Sequence, residues 1–161
     1  MGLLAEQIVI DCAPSALEEL FSDRAAGWIA PLLRLAGDEG EAAGLVLLGE
    51  RPDADRRQSP RRRGHEVAVG RGGRNARGFR VDLRWRTTHY RALFAEFHGV
   101  LEIRALDDQA VLSVEGLFVA PTGATGSGTA ALAARRAAEA AMRSLLGHLR
   151  SATEASSFSR S

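Results

Sequence analysis

Residues 97 to 119 read FHGVLEIRALDDQAVLSVEGLFV. Apolar and polar positions alternate on both sides of Asp107-Asp108, the signature of two half-buried strands joined by a tight turn. Taking the strands as Leu93 to Arg104 and Ala110 to Val119, a turn at Asp107-Asp108 pairs Ile103 with Leu112, Leu101 with Val114, Gly99 with Gly116 and Phe97 with Phe118. Apolar faces apolar at every step, as cross-strand contacts require. Glu102 then meets Ser113, and Arg104 meets Val111, on the other face. Two glycines at one level let a sheet bend or another element approach closely.

The strand before this hairpin is as clear. Phe79, Val81, Leu83 and Trp85 alternate with Arg80, Asp82, Arg84 and Arg86. This predicts an antiparallel strand with one face in water. A hairpin centred near Tyr90 places Arg84 opposite Glu96 and Asp82 opposite His98.

Upstream, Gln7 to Asp11 reads as a strand. Pro14 opens a helix over Ser15 to Phe21, and a second short helix covers Asp23 to Leu35 until Gly37 to Gly40 ends it. Gly44 to Glu50 reads as a strand, Arg51 to Gly64 as a long polar loop, His65 to Val69 as a strand and Arg71 to Gly78 as a turn. Downstream, residues 121 to 128 (PTGATGSG) connect to an alanine-rich helix over Thr129 to Arg150. Ala131, Ala134, Ala138, Met142, Leu145 and Leu149 form its apolar stripe. Residues 151 to 161 read as a flexible tail behind a single domain over 1 to 150.

The composition bounds the function. With 161 residues, 45% hydrophobic and 25% charged, the chain suits one globular domain. It shows no apolar run long enough to span a bilayer and no basic start before an apolar stretch, so neither an integral membrane protein nor a secretory signal is expected. A single cysteine, Cys12, excludes an internal disulfide and fits a reducing, cytoplasmic setting. All 21 basic residues are arginine, which excludes a Schiff-base or phosphate-loop lysine. Residues 51 to 91 hold thirteen arginines against four acids, net +9; the remainder holds eight against sixteen, net −8. The arginine-rich loop lacks interleaved aromatics, so nucleic acid is not the expected partner.

The element order also resembles the helix-grip fold of the START and polyketide-cyclase-like (SRPBCC) superfamily. Residues 8 to 23 (IVIDCAPSALEELFSD) are similar to that family's opening strand, proline and helix. Residues 97 to 123 are similar to its last hairpin and Pro-Gly loop. The resemblance implies an α+β fold: a curved antiparallel sheet of six to seven strands wrapped around a long C-terminal helix, with two short helices after the first strand. It implies a cavity between sheet and helix, and it carries no catalytic motif.

On that fold, the alternation makes Val67, Val69, Phe79, Val81, Leu83, Trp85, Phe97, Leu101, Leu112, Val114 and Phe118 the cavity lining. Leu45 and Leu47 extend it, Met142 and Leu145 close it from the helix, and Trp28 closes its mouth. A plain core with no cavity satisfies the same pattern. An apolar lining binds apolar ligands and gives little help to proton transfer. The expected function is therefore non-catalytic binding or transport of a hydrophobic small molecule: a lipid, a quinone or a polyketide-like aromatic. A polyketide cyclase or dehydratase is the alternative, with His65, His89 and Tyr90 as acid–base candidates. An interaction module built on the arginine-rich loop is the third.

No histidine pair has metal-ligand spacing, so neither a metal nor a cofactor is expected. The glycines from Gly70 precede a strand rather than a helix, and no serine stands in a nucleophile elbow. Gly126 to Thr129 can meet an anion at a helix start, though a capped helix is the simpler reading. A second copy of the chain can pair along an edge strand at Gly44 to Glu50.

Overall fold

A computed structural model describes residues 2–22, 25–49, 65–87, 96–119 and 128–159. The order is β1 (Gly2–Ile10), α1 (Pro14–Ser22), α2 (Ala25–Leu47), β2 (His65–Val69), β3 (Gly73–Asn75), β4 (Gly78–Thr87), β5 (Glu96–Leu106), β6 (Gln109–Val119) and α3 (Thr129–Ser159). The six strands form one antiparallel sheet in the order β1-β6-β5-β4-β2, with β3 also on β4. With its C-terminal helix this is the expected α+β helix-grip architecture.

The central hairpin has the register that its alternation demands. Ile103 faces Leu112, Leu101 faces Val114, Gly99 faces Gly116 and Phe97 faces Phe118. Asp107 takes the left-handed conformation (φ 51°) that a tight turn needs and that Asp tolerates. A Cβ on Gly99 would lie 2.5 Å from the Phe97 ring, and one on Gly116 would collide with the His98 carbonyl oxygen. The missing side chains make room for that ring and let the two strands approach.

The β4–β5 pairing differs by two residues from the expected one. Arg84 faces His98 and Arg86 faces Glu96, while Asp82 faces Val100. The alternation preserves parity and so does not separate registers two apart; the connection sets which is used.

On the other edge of β4, Val69 faces Leu83 whereas Gly73 faces Arg80. Two residues, Arg71 and Gly72, therefore share Val81, which makes a β-bulge. Gly72 sits against the Phe79 ring and the Phe21 carbonyl, a space that no side chain can share. The segment expected to be only a turn thus holds the short strand β3. The turn proper follows it, with Asn75 Oδ1 accepting from the amides of Arg77 (2.8 Å) and Gly78 (3.1 Å).

β1 begins at Gly2 rather than Gln7, and three further segments differ from expectation. Gly37 to Gly40 does not end the second helix; α2 runs on to Leu47. At Gly40 a Cβ would fall on the Ala137 carbonyl oxygen and lie 2.6 Å from Ala141 Cβ, so the glycine serves close contact with α3. Ala137 and Ala141, both fully buried, supply the matching small face. This tertiary contact outweighs the low helix propensity of glycine.

Gly44 to Glu50 is accordingly not a strand. Its first residues are the last turn of α2, closed by a bond of 3.0 Å from the Gly49 amide to the Val46 carbonyl. A short apolar run does not reveal its period. Leu45 and Leu47 therefore leave the expected sheet lining, Leu47 being exposed, and the dimer edge expected there is absent. The strand count of six survives because β3 was not expected and this strand does not form.

Lastly, α3 does not stop at Arg150 but continues to Ser159. Thr153, in the part expected to be a flexible tail, is buried and its hydroxyl donates to the Leu149 carbonyl at 2.7 Å. The arginine-rich loop, the whole β4–β5 connection (88 to 95) and residues 120 to 127 lie outside the described residues.

Candidate functional site

The inward face of the sheet is built by parity. In β4, Phe79, Val81, Leu83, Trp85 and Thr87 point in, while Arg80, Asp82, Arg84 and Arg86 point out. In β5 and β6 the inward rows are Phe97, Gly99, Leu101, Ile103 and Ala110, Leu112, Val114, Gly116, Phe118. None of these three rows holds an acid, a base or a histidine. β1 adds Leu4, Ile8 and Ile10.

The residues expected to line a cavity come together. Phe79, Val81, Leu83, Trp85, Phe97, Leu101, Leu112, Val114 and Phe118 are all buried in one cluster with Met142 and Leu145 of α3. Val67 and Val69 pack on the cluster half-buried, at the β2 edge. Trp28 sits half-buried where α1 meets α2. Its indole N–H donates to the Leu20 carbonyl at 3.0 Å, and its ring centroid lies 5.0 Å from that of Phe21. Trp28 thus ties the α1–α2 elbow over the end of the core.

The acid–base candidates are less defined. His89 and Tyr90 lie outside the described residues. His65 opens β2, with its backbone in register with Thr87. His98 is exposed on the outer face as expected, but its partner is Glu96 rather than Asp82. Its Nε2 lies 2.6 Å from Glu96 Oε1, to which Arg84 also donates at 3.2 Å. The bond from His98, and then that from Arg84, lower the Glu96 pKa below its ordinary value. This is a charged network in water, on the face away from the core.

Besides Thr153, two buried polar residues escaped the sequence reading. Thr87 continues the inward row of β4 by one step, so strict parity could have found it. Its Oγ1 is buried without a hydrogen-bond partner among the described residues. Glu41 is buried in the part of α2 that was not expected to be helical. Between the helices, His148 Nε2 lies 2.8 Å from Glu39 Oε1, and at the β1 edge Arg143 Nε donates to Glu6 at 3.1 Å. No helix among the described residues is long and apolar enough to cross a membrane. Nor do those residues bring together three or more His, Cys, Asp or Glu side chains as a metal would need.

No protein-family model matches the chain, and no curated protein matches its sequence. Solved structures do match. Protein TTHA0849 from Thermus thermophilus is similar over 97% of this chain and 99% of its own, with a TM-score of 0.51 at 11% identity. Ara h 8.0201 is similar over 93% of this chain and 98% of its own, with a TM-score of 0.39 at 9% identity. The Zhui aromatase/cyclase from Streptomyces sp. R1128 is similar over 92% and 93%, with a TM-score of 0.33 at 12% identity. At these identities the likeness is one of fold, and it is carried by the first of the three.

Proposed function

We propose that the chain is a single START-like domain that binds a hydrophobic small molecule between the sheet and the α2–α3 pair. The classes that fit are a lipid, a quinone or a polyketide-like aromatic. The observation that carries this reading is the inward face itself. Three adjacent strands present fourteen inward positions with Thr87 as the one polar side chain among them. Such a surface offers contact area to an apolar body and no group to move a proton across it. Binding or transport therefore fits better than catalysis.

The side chains of this face are buried beneath the helices. A ligand enters by displacing them, most simply at the α1–α2 elbow where Trp28 and Phe21 meet. Binding is then slow to start and accompanied by a negative heat-capacity change as apolar surface leaves water.

Native and denaturing mass measurements on the purified protein, followed by calorimetry with lipids, quinones and polycyclic aromatics, test this. A bound mass of a few hundred daltons that leaves on denaturation, or saturable binding with a negative heat-capacity change, supports the reading. The absence of any binder across the three classes overturns it. Turnover of a bound polyketide-like substrate that is lost in the His65→Ala, His89→Ala or Tyr90→Ala protein would instead establish a cyclase or dehydratase.

A further inference from the structure

The inward row of β4 ends on a buried hydroxyl that no group among the described residues satisfies. Thr87 is 9% exposed, and among the described residues its Oγ1 has no hydrogen-bond partner. Valine has the same shape and avoids the desolvation of an unmet hydroxyl, so a threonine here is costly for folding alone. The adjacent level of the sheet is aromatic. Trp85 of β4 faces Phe97 of β5, and Phe97 faces Phe118 of β6, all three buried on the same side. The hydroxyl therefore stands one inward step along β4 from Trp85, beside the β4 end of a cross-strand row of three aromatic residues.

We propose that Thr87 is the polar anchor of the ligand site. Its hydroxyl donates to a ketone or phenolic oxygen carried at one end of a flat ring system, whose body lies against Trp85, Phe97 and Phe118. Among the three ligand classes this selects oxygenated polycyclic or quinone-like molecules over simple acyl chains. The inference rests on the proposed binding role and narrows it to a ligand chemistry.

The test compares fluorene with 9-fluorenone, which share a rigid tricyclic body and differ by one carbonyl. Calorimetry is run on the whole wild-type chain and on Thr87→Val and Thr87→Ser. The wild type should bind fluorenone about five- to tenfold tighter than fluorene, the worth of one net hydrogen bond. Thr87→Val should abolish that preference, bringing the fluorenone-to-fluorene affinity ratio to about one, and Thr87→Ser should keep it. In urea, Thr87→Val should be at least as stable as wild type.

Equal binding of both probes by the wild type would overturn the anchor while leaving the hydrophobic site in place. So would a preference that survives in Thr87→Val, or a marked destabilisation of that variant, which would reveal a structural partner for the hydroxyl. Binding of acyl lipids but of neither tricycle would overturn the ligand class. Failure of all three ligand classes would overturn the binding role itself.

Discussion

Gly40 in α2 and Gly99 in β5 both stand where the chain comes too close to itself for a side chain. They differ in what would have to move. Beside Gly40 the obstacle is helix backbone, the Ala137 carbonyl and the Ala141 amide. Beside Gly99 the nearest obstacle is the Phe97 ring at 2.5 Å, with the Glu115 carbonyl behind it at 2.9 Å. At Gly40 backbone closes the seam, whereas at Gly99 a ring stands in front of the backbone and holds its place through the core. A ring can turn about its side-chain bonds; a helix backbone cannot yield without shifting the whole element.

Removing the ring attacks the sheet seam most directly. Phe97→Ala should cost about 3–5 kcal/mol in urea unfolding, because a fully buried aromatic is lost over two glycines that cannot refill the space. A cost under about 1 kcal/mol would mean that the ring is not what seals that level.

The helix seam is next. On propensity alone, Gly40→Ala would stabilise α2 by about 1 kcal/mol. The seam reverses the sign, and we expect a net loss of about 2 kcal/mol from overpacking against α3. A stabilised Gly40→Ala protein would show that the helices are not in backbone contact.

A double-mutant cycle then separates the two seams. The penalty of Gly99→Ala should shrink by about 1 kcal/mol when Phe97 is already alanine, since the nearest obstacle has gone. The Gly40→Ala penalty should add to that of Phe97→Ala within about 0.5 kcal/mol, because the obstacles at Gly40 belong to α3. Coupling of the second pair would join what the structure keeps apart.

The smallest effect lies outside both seams. His98 and Arg84 lower the Glu96 pKa, so the folded state favours the ionised carboxylate. That contribution is fully present above the ordinary value of 4.5 and is lost as pH falls through the lowered folded value. Tm should dip slightly more steeply below pH 4.5 in wild type than in Glu96→Gln, and salt should blunt the difference. Superimposable profiles would show that the network adds nothing to folding.

The same comparison explains what could be read from the chain. In β4, β5 and β6 each residue's partner lies directly across a strand, so alternation alone yields the faces, the β5–β6 register and nine of the sheet residues expected to line the site. At Gly40 the reason for the residue lies about a hundred positions away, on α3, and local propensity argued for a helix end. The β4–β5 register failed for a different cause: parity is blind to a shift of two. Thr87 was legible as the next step of an inward row. The burial of Glu41 was not, because it depends on a helix that continues only through contact with α3.

The Gly40 seam also bears on motion. With no side chain at Gly40 to hold α2 off α3, neither helix can roll or slide far along the other at that point without backbone collision. The pair moves as one plate, and room for a guest must come from lifting that plate off the sheet or from opening the elbow at Trp28. Amide exchange should therefore report α2 and the facing turns of α3 as a single cooperative unit, protected and released together, rather than as two helices that fray on their own.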